Sequence, residues 1–332
     1  MLHGRTLLRF ALVLFSVAAQ GQNSANCHRH TLIVGALDTA GLPIKGVAAA
    51  SFKATYRGRP VHILSSEFVE RPTARIVVLL DTSGSMRDSR LDSDRNKWKS
   101  ARTAATELVS SAPPRMQIAV FTFANKTEKR FELASEHKVI EEWLRAPSTQ
   151  DISKLKGKTA LYNAILEALK ELEPAQLGDA IYVITDGGEN ASAESKSRIG
   201  LALQASGVRL FVFLLNGPTL NPAEDADRLD VHDLALGSGG FGTNVGPYSI
   251  TARMHGSYDY DDNVVARIRA WTQVLEAEIG NFYVLQVETP ETSSKAGKWT
   301  LEVVDAQGRK RKDVTVVYPQ PLAGCETQPA HR

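Results

Sequence analysis

Four strand-length, mostly apolar runs constrain this chain more than anything else in it: Ile76 to Leu80, Gln117 to Phe123, Ala180 to Thr185 and Val208 to Leu215. Runs of this kind suit strands buried on both faces of a parallel sheet. Helical patterns separate them. Trp98, Ala101, Ala105 and Leu108 share one face, as do Leu161, Ile165, Leu169 and Leu172, and Lys196 to Ala205 is a third helical segment. Strands alternating with helices predict a doubly wound α/β unit with a mostly parallel sheet. Phe131 to Leu133 reads as a short antiparallel edge strand, with a helix from Val139 to Leu144 after it.

The flanks read differently. Thr31 to Val34, Ser51 to Tyr56 and Val61 to Phe68 look like short strands, the last two joined by the Arg57-Gly58-Arg59-Pro60 turn. Arg71-Pro72 marks a boundary, because a residue before proline is pushed out of the helical region. Past the α/β pattern, Phe282 to Glu288, Trp299 to Val304 and Val314 to Tyr318 return to strands. Two strand sets of this size are each too small for a core of their own. The expected organisation is therefore an α/β unit over 74–280, inserted in or flanked by one small β unit built from 28–72 and 281–320. Between Asn221 and Asp262 a helix is expected around Leu229 to Leu236, then a Gly-rich loop to Gly246. A polar insert over 245–260 gives no usable pattern, after which Val264, Ile268, Trp271 and Leu275 share a helical face.

A chain of 332 residues with 43% hydrophobic and 23% charged residues is an ordinary globular mix, of a length for about two domains. The formal net charge of +2 gives no field that would steer it onto nucleic acid. Residues 1–19 stand apart: His3, Arg5 and Arg9, an apolar run from Phe10 to Val17, then Val17-Ala18-Ala19. That is the pattern of a secretory signal peptide, and the run is about half the roughly 20 residues a bilayer needs. The expectation is export to a periplasmic or extracellular space, with no transmembrane segment after cleavage. In such a space Cys27 and Cys325 are candidates for a disulfide between the two ends of the mature chain, against the alternative of two unpaired thiols.

The chemistry concentrates at the end of the first apolar run, which enters Asp81-Thr82-Ser83-Gly84-Ser85-Met86. Ligands of open α/β sheets sit at the carboxyl ends of strands near the point where strand order reverses. One carboxylate and two hydroxyls at alternate positions are hard oxygen donors without His or Cys. This disfavours zinc and favours Mg²⁺, with Mn²⁺ or Ca²⁺ possible. Thr159, just before a helix, and Asp186, at the end of another buried strand, supply a further hydroxyl and carboxylate. With these two in place, Asp81-x-Ser83-x-Ser85 resembles the metal-ion-dependent adhesion site of von Willebrand factor type A (VWA) domains. The flanking strands are similar to those of exported bacterial VWA-related proteins, on patterns such as Leu234-Ala235 through Gly239-Gly240 and Asn281 to Leu285. The resemblance implies a Rossmann-like fold over about 74–280. It implies direct coordination by Ser83 and Ser85, coordination by Thr159 when a partner is bound, and Asp81 and Asp186 acting mainly through water. It also implies a protein partner that offers an Asp or Glu side chain to the ion.

Rival motifs are weaker. Gly237-x-Gly239-x-x-Gly242 matches the dinucleotide fingerprint literally but follows a helical pattern rather than a strand. Asp92-x-Asp94-x-Asn96 begins like a calcium loop, but Lys97 stands where its turn glycine belongs. His28 and His30 beside Cys27 suit an exposed tail, and Arg309 to Lys312 a charged hairpin turn. Asn125-Lys126-Thr127 and Asn190-Ala191-Ser192 fit glycosylation sequons that arise readily by chance. The sequence therefore points to an exported, metal-dependent binding protein rather than an enzyme. The alternatives are a structural or assembly subunit with a stabilising metal, or a metal-dependent hydrolase.

Overall fold

A computed structural model of the chain describes residues 28–70, 74–87, 97–215, 222–244, 263–290 and 296–322. The signal-like residues 1–19, Cys27, Cys325 and the 245–260 insert lie outside the described residues. The described residues open with β1 (Arg29–Leu37), β2 (Phe52–Tyr56) and β3 (Arg59–Glu70). The alternating part comprises β4 (Arg75–Asp81), α1 (Lys97–Ser111), β5 (Gln117–Phe123), β6 (Thr127–Phe131), α2 (His137–Arg145), α3 (Pro147–Gln150) and α4 (Leu161–Glu171). It continues through β7 (Ala180–Thr185), α5 (Lys196–Ser206), β8 (Arg209–Leu214), α6 (Pro222–Gly237), β9 (Gly242–Asn244) and α7 (Val264–Gly280). The chain returns to strands in β10 (Asn281–Glu288), β11 (Trp299–Val303) and β12 (Thr315–Val317).

Among the described residues the strands form two sheets. The α/β sheet has the order β6-β5-β4-β7-β8-β9, parallel except for the β5–β6 hairpin. Its four central strands, β5, β4, β7 and β8, are apolar over most of their length because both faces are covered. Ile76, Val78 and Leu80 of β4 pack with Trp98, Leu108, Ile268 and Leu275 on one side. Val77 and Leu79 pack with Leu161, Ile165, Ile199 and Leu203 on the other. β4 is flanked by β5 on one side and β7 on the other, so strand order reverses at β4. The carboxyl ends of β4 and β7 form the crevice where such folds place ligands.

Two elements differ from the sequence expectation. The edge strand is β6 at 127–131, not 131–133. A tight turn, in which the Ala124 amide donates to Lys126 O at 3.1 Å, starts the return strand at once, opposite Phe123. Its exposed Glu128-Lys129-Arg130 hides it from hydrophobic patterning, and charge of this kind protects a sheet edge. The Gly-rich stretch read as a loop contains β9, whose Gly242–Asn244 pair in parallel with Val212–Leu214. Pairing with a fully buried neighbour overrides the low strand propensity of glycine and asparagine.

The second sheet is antiparallel, with the order β11-β2-β3-β10-β1-β12. It interleaves strands from both ends of the chain around Tyr56, Tyr283, Leu285, Trp299 and Leu301. Tyr283 fastens the interleaving: its hydroxyl accepts from the Val47 amide at 2.9 Å and donates to Ile44 O at 2.8 Å. The α/β unit leaves the sheet after β3 and rejoins it at β10, where Glu70 and Asn281 are register partners. At this junction the buried Arg209 guanidinium bridges to buried Glu278 at 3.2 Å and donates to the carbonyls of Glu278 and Ile279. Phe211 and Phe282 present their rings to the same guanidinium.

Candidate functional site

β4 ends at Asp81, and the next three turn-forming residues decide the geometry. Thr82 faces β5, where its amide and hydroxyl both donate to Phe123 O, at 2.8 and 3.0 Å. Alternation then turns Asp81 and Ser83 to the opposite side. Ser83 keeps extended backbone, and Gly84–Met86 form a single 3₁₀ turn whose Met86 is fully buried and anchors the loop. Asp81 Oδ1 accepts from the Ser83 amide at 2.8 Å, and Oδ2 accepts from Thr185 Oγ1 at 2.6 Å. The hydroxyl oxygens of Ser83 and Ser85 stand 3.0 Å apart, and Ser85 Oγ donates to Asp186 Oδ1 at 3.1 Å. Four of the five residues singled out in the sequence are thus joined by one chain of hydrogen bonds.

Thr159, the fifth, arrives on the loop before α4 and is buried. That loop is bolted to both neighbours. The Gly84 amide donates to Gly157 O at 3.0 Å, and the Lys156 amide to Thr82 O at 3.2 Å. On the other side the Thr159 amide donates to Asn190 Oδ1 at 2.9 Å, and Glu189 Oε2 receives the Tyr162 amide in the first turn of α4 at 3.0 Å. The segment after Asp186 passes so close that a methyl on Gly188 would sit 3.6 Å from Thr159 Oγ1. Gly187 makes this path possible: its φ of +95° is left-handed, and a Cβ there would lie 2.4 Å from Arg228 Cγ. Asn190 and Asn125, whose Oδ1 accepts from the Lys158 amide, are both committed to holding these loops, which is a structural reason for each sequon asparagine.

The electrostatics are unusual for a surface crevice. Asp81 is fully buried and Asp186 is 6% exposed. Burial first, and the nearby Asp186 charge second, push the Asp81 carboxyl up to about 7, against the bonds from Ser83 and Thr185 that favour its charged form. A cation stands beside this pair that the sequence reading did not place. Lys97, the first residue of α1, puts Nζ 2.6 Å from Asp186 Oδ2 and 3.2 Å from Ser85 O. Its side chain is 12% exposed. No spacing rule points to it, because the chain between Ser85 and α1 has no periodic pattern.

The donor chemistry suits a small hard cation. Ligand oxygens at 2.0–2.1 Å from an octahedral Mg²⁺ are separated by about 2.9 Å along each edge, and the Ser83–Ser85 pair has that separation. Among the described residues no group of three or more His, Cys, Asp and Glu side chains is placed to hold a metal.

Residues 76–189 match the family model of the von Willebrand factor type A domain, a span that runs from β4 through the loop after Asp186. The chain carries a VWA domain. No curated protein matches it. Among solved structures, an aerotolerance-related membrane protein from Bacteroides fragilis is 17% identical with a TM-score of 0.45, covering 62% of this chain and 98% of that one. BatB from Bacteroides thetaiotaomicron is 16% identical with a TM-score of 0.46, over 62% of this chain and 98% of that one. Proximal thread matrix protein 1 from the mussel byssus, with a zinc-occupied MIDAS motif, is 16% identical with a TM-score of 0.44, over 66% of this chain and 49% of that one. The dinucleotide-like glycines run from the last residue of α6 to the first of β9, not from a strand into a helix, so they form no phosphate loop. Among the described residues no helix is long and apolar enough to cross a membrane.

Proposed function

We propose that this protein is an exported binding protein that holds Mg²⁺ at Asp81, Ser83, Ser85, Thr159 and Asp186 and uses the ion to grip an Asp or Glu side chain of a protein partner. The observation that carries the reading is the pair of hydroxyls at octahedral-edge separation beside two buried carboxylates, in the crevice where strand order reverses. Bound there, the ion supplies a strong positive charge that neutral hydroxyls leave largely unneutralised. The chain's own part is to orient the hydroxyls, keep the crevice narrow and set which partner surface fits around it. Export rests on the pattern of residues 1–19.

Two alternatives are less well supported. A metal that serves only as a staple has little to add, since Gly84–Gly157, Thr159–Asn190 and Thr185–Asp81 contacts already tie the loops together. Hydrolysis needs a base that faces a water on the ion, whereas Asp81, the carboxyl raised towards neutrality, is fully buried and turned to the Ser83 amide and the Thr185 hydroxyl. The test is a calorimetric titration of the full chain with Mg²⁺ and Mn²⁺, beside retention of Glu-bearing and Gln-bearing peptides on the immobilised protein. The reading expects ion binding that Ser83→Ala abolishes, and Glu-dependent retention that a chelator removes. Peptide retention indifferent to both Glu and the ion would overturn it.

A further inference from the structure

We propose that Lys97 is an internal rival of the metal ion, so that an ion is held firmly only when the Lys97 ammonium leaves Asp186. This rests on the metal reading above. Each carboxylate oxygen at the site has a hydrogen-bond partner within the chain. Those of Asp81 take the Ser83 amide and Thr185 hydroxyl, and those of Asp186 take the Ser85 hydroxyl and the Lys97 ammonium. Lys97 alone among these four partners carries a charge. It also grips the site a second time through Ser85 O, the backbone of a proposed ligand residue. With 12% and 6% of the two side chains exposed, water screens this ion pair weakly.

The lysine competes as a tethered cation at fixed local supply. Its backbone cannot drift away, because the adjacent Trp98 is buried and its indole donates to Thr149 O at 2.7 Å. Release is therefore a swing of the four-carbon side chain, not a movement of α1. The apparent affinity for an ion falls by the fraction of molecules in which the ammonium is away. An ammonium away about one-tenth of the time weakens the ion about tenfold. The device sets the ion affinity of this chain lower than its oxygen donors would give and couples ion arrival to a charge at the start of α1.

The experiment is a Mg²⁺ titration of the full-length protein by calorimetry, comparing wild type with Lys97→Met, Lys97→Gln and Lys156→Met. Lys156 is an exposed cation on the neighbouring loop and controls for the simple removal of a positive charge. The expectation is about tenfold or greater tightening for Lys97→Met, tightening also for Lys97→Gln, and a change within about twofold for Lys156→Met. Lys97→Gln retains an amide donor for Asp186 and stands in should Lys97→Met fold poorly. In wild type, the Lys97 side-chain nitrogen resonance should shift on Mg²⁺ addition. Unchanged or weaker ion binding in both Lys97 variants overturns the proposal, as does equal tightening in Lys156→Met. Absence of Mg²⁺ binding in wild type and every variant removes the metal reading itself, and the rivalry with it, whereas binding in wild type that Lys97→Met leaves alone removes only the rivalry.

Discussion

Replacing Arg209 by Met should destabilise the protein by an amount that grows with pH. Arg209 and Glu278 are buried to within 1% of complete, and burial lowers the arginine while raising the glutamate to about 7, with Arg209 the influence that opposes that rise. An arginine starts so far above neutrality that it stays charged. In wild type the folded Glu278 therefore holds its proton more tightly than in the unfolded chain. Its contribution to stability is complete below the ordinary glutamate value of 4.5 and is lost as pH rises to about 7, after which it is flat. Met in place of Arg209 preserves most of the packing between Phe211 and Phe282 but strands the carbonyls of Glu278 and Ile279. That part costs about 1–3 kcal/mol at any pH. It also removes the charge opposing the rise, so Glu278 climbs further and the decline continues past pH 7. The deficit of the variant should then widen by up to about 1.4 kcal/mol per pH unit above about pH 7. Urea unfolding at about pH 6 and about pH 8, followed by tryptophan fluorescence, measures both parts. Adding Glu278→Gln should erase the pH-dependent part and leave the rest. A deficit that is the same at both pH values would refute the account of a glutamate held ionised by Arg209.

Gly35→Ala should cost about 1–3 kcal/mol by overpacking, because a Cβ on Gly35 would lie 2.3 Å from Glu278 Oε1, and thermal unfolding of the variant reads the loss. Mg²⁺ affinity should fall as pH drops from about 8 to about 6, since Asp81, pushed up to about 7 by burial and by Asp186, must shed a proton to favour the ion; the dependence approaches tenfold per pH unit below about 7. Calorimetry in buffers of different ionisation enthalpy would detect the released proton, and a flat profile would remove Asp81 from the ion's field. Thr159→Ala should weaken retention of a Glu-bearing peptide by about tenfold or more, as expected for one lost bond to a charged group, while resting Mg²⁺ affinity changes far less. Equal losses in the two titrations would make Thr159 an ordinary ligand.

The central sheet was legible because its strands are buried on both faces and so carry runs such as Ile76 to Leu80 that little else in a soluble chain explains. Asp81, Ser83 and Asp186 were legible as candidates because they sit at or just past the ends of those strands, where alternation fixes which of Asp81, Thr82 and Ser83 turn inward. What escaped depends on contacts across the fold. β6 looks polar because its charge belongs to an edge, and β9 looks like a loop because Gly242 gains its strand conformation from Val212. Lys97 escaped for a related reason: it is an ordinary helix-start lysine until β7 brings Asp186 against it. Asn190 and Glu189 likewise resemble loop residues in the sequence, yet they hold Thr159 and the first turn of α4 in place.

The interleaved order of the antiparallel sheet also dictates when its parts can form. β1 is made early, yet its neighbours are β10 and β12, so it has no ladder to join until nearly the whole chain exists. The Val47–Tyr283 bond that fastens the sheet spans 236 residues. Closing a disordered loop of that size slows folding. An α/β unit that folds first removes most of the burden, since it delivers Glu70 and Asn281 side by side. During synthesis at about 5–20 residues per second, β1 waits on the order of tens of seconds with both edges unpaired. The early strands are thus the part of the nascent chain most in need of a holdase. A chain ending after α7 would lack both strands, β10 and β12, that pair with β1 among the described residues.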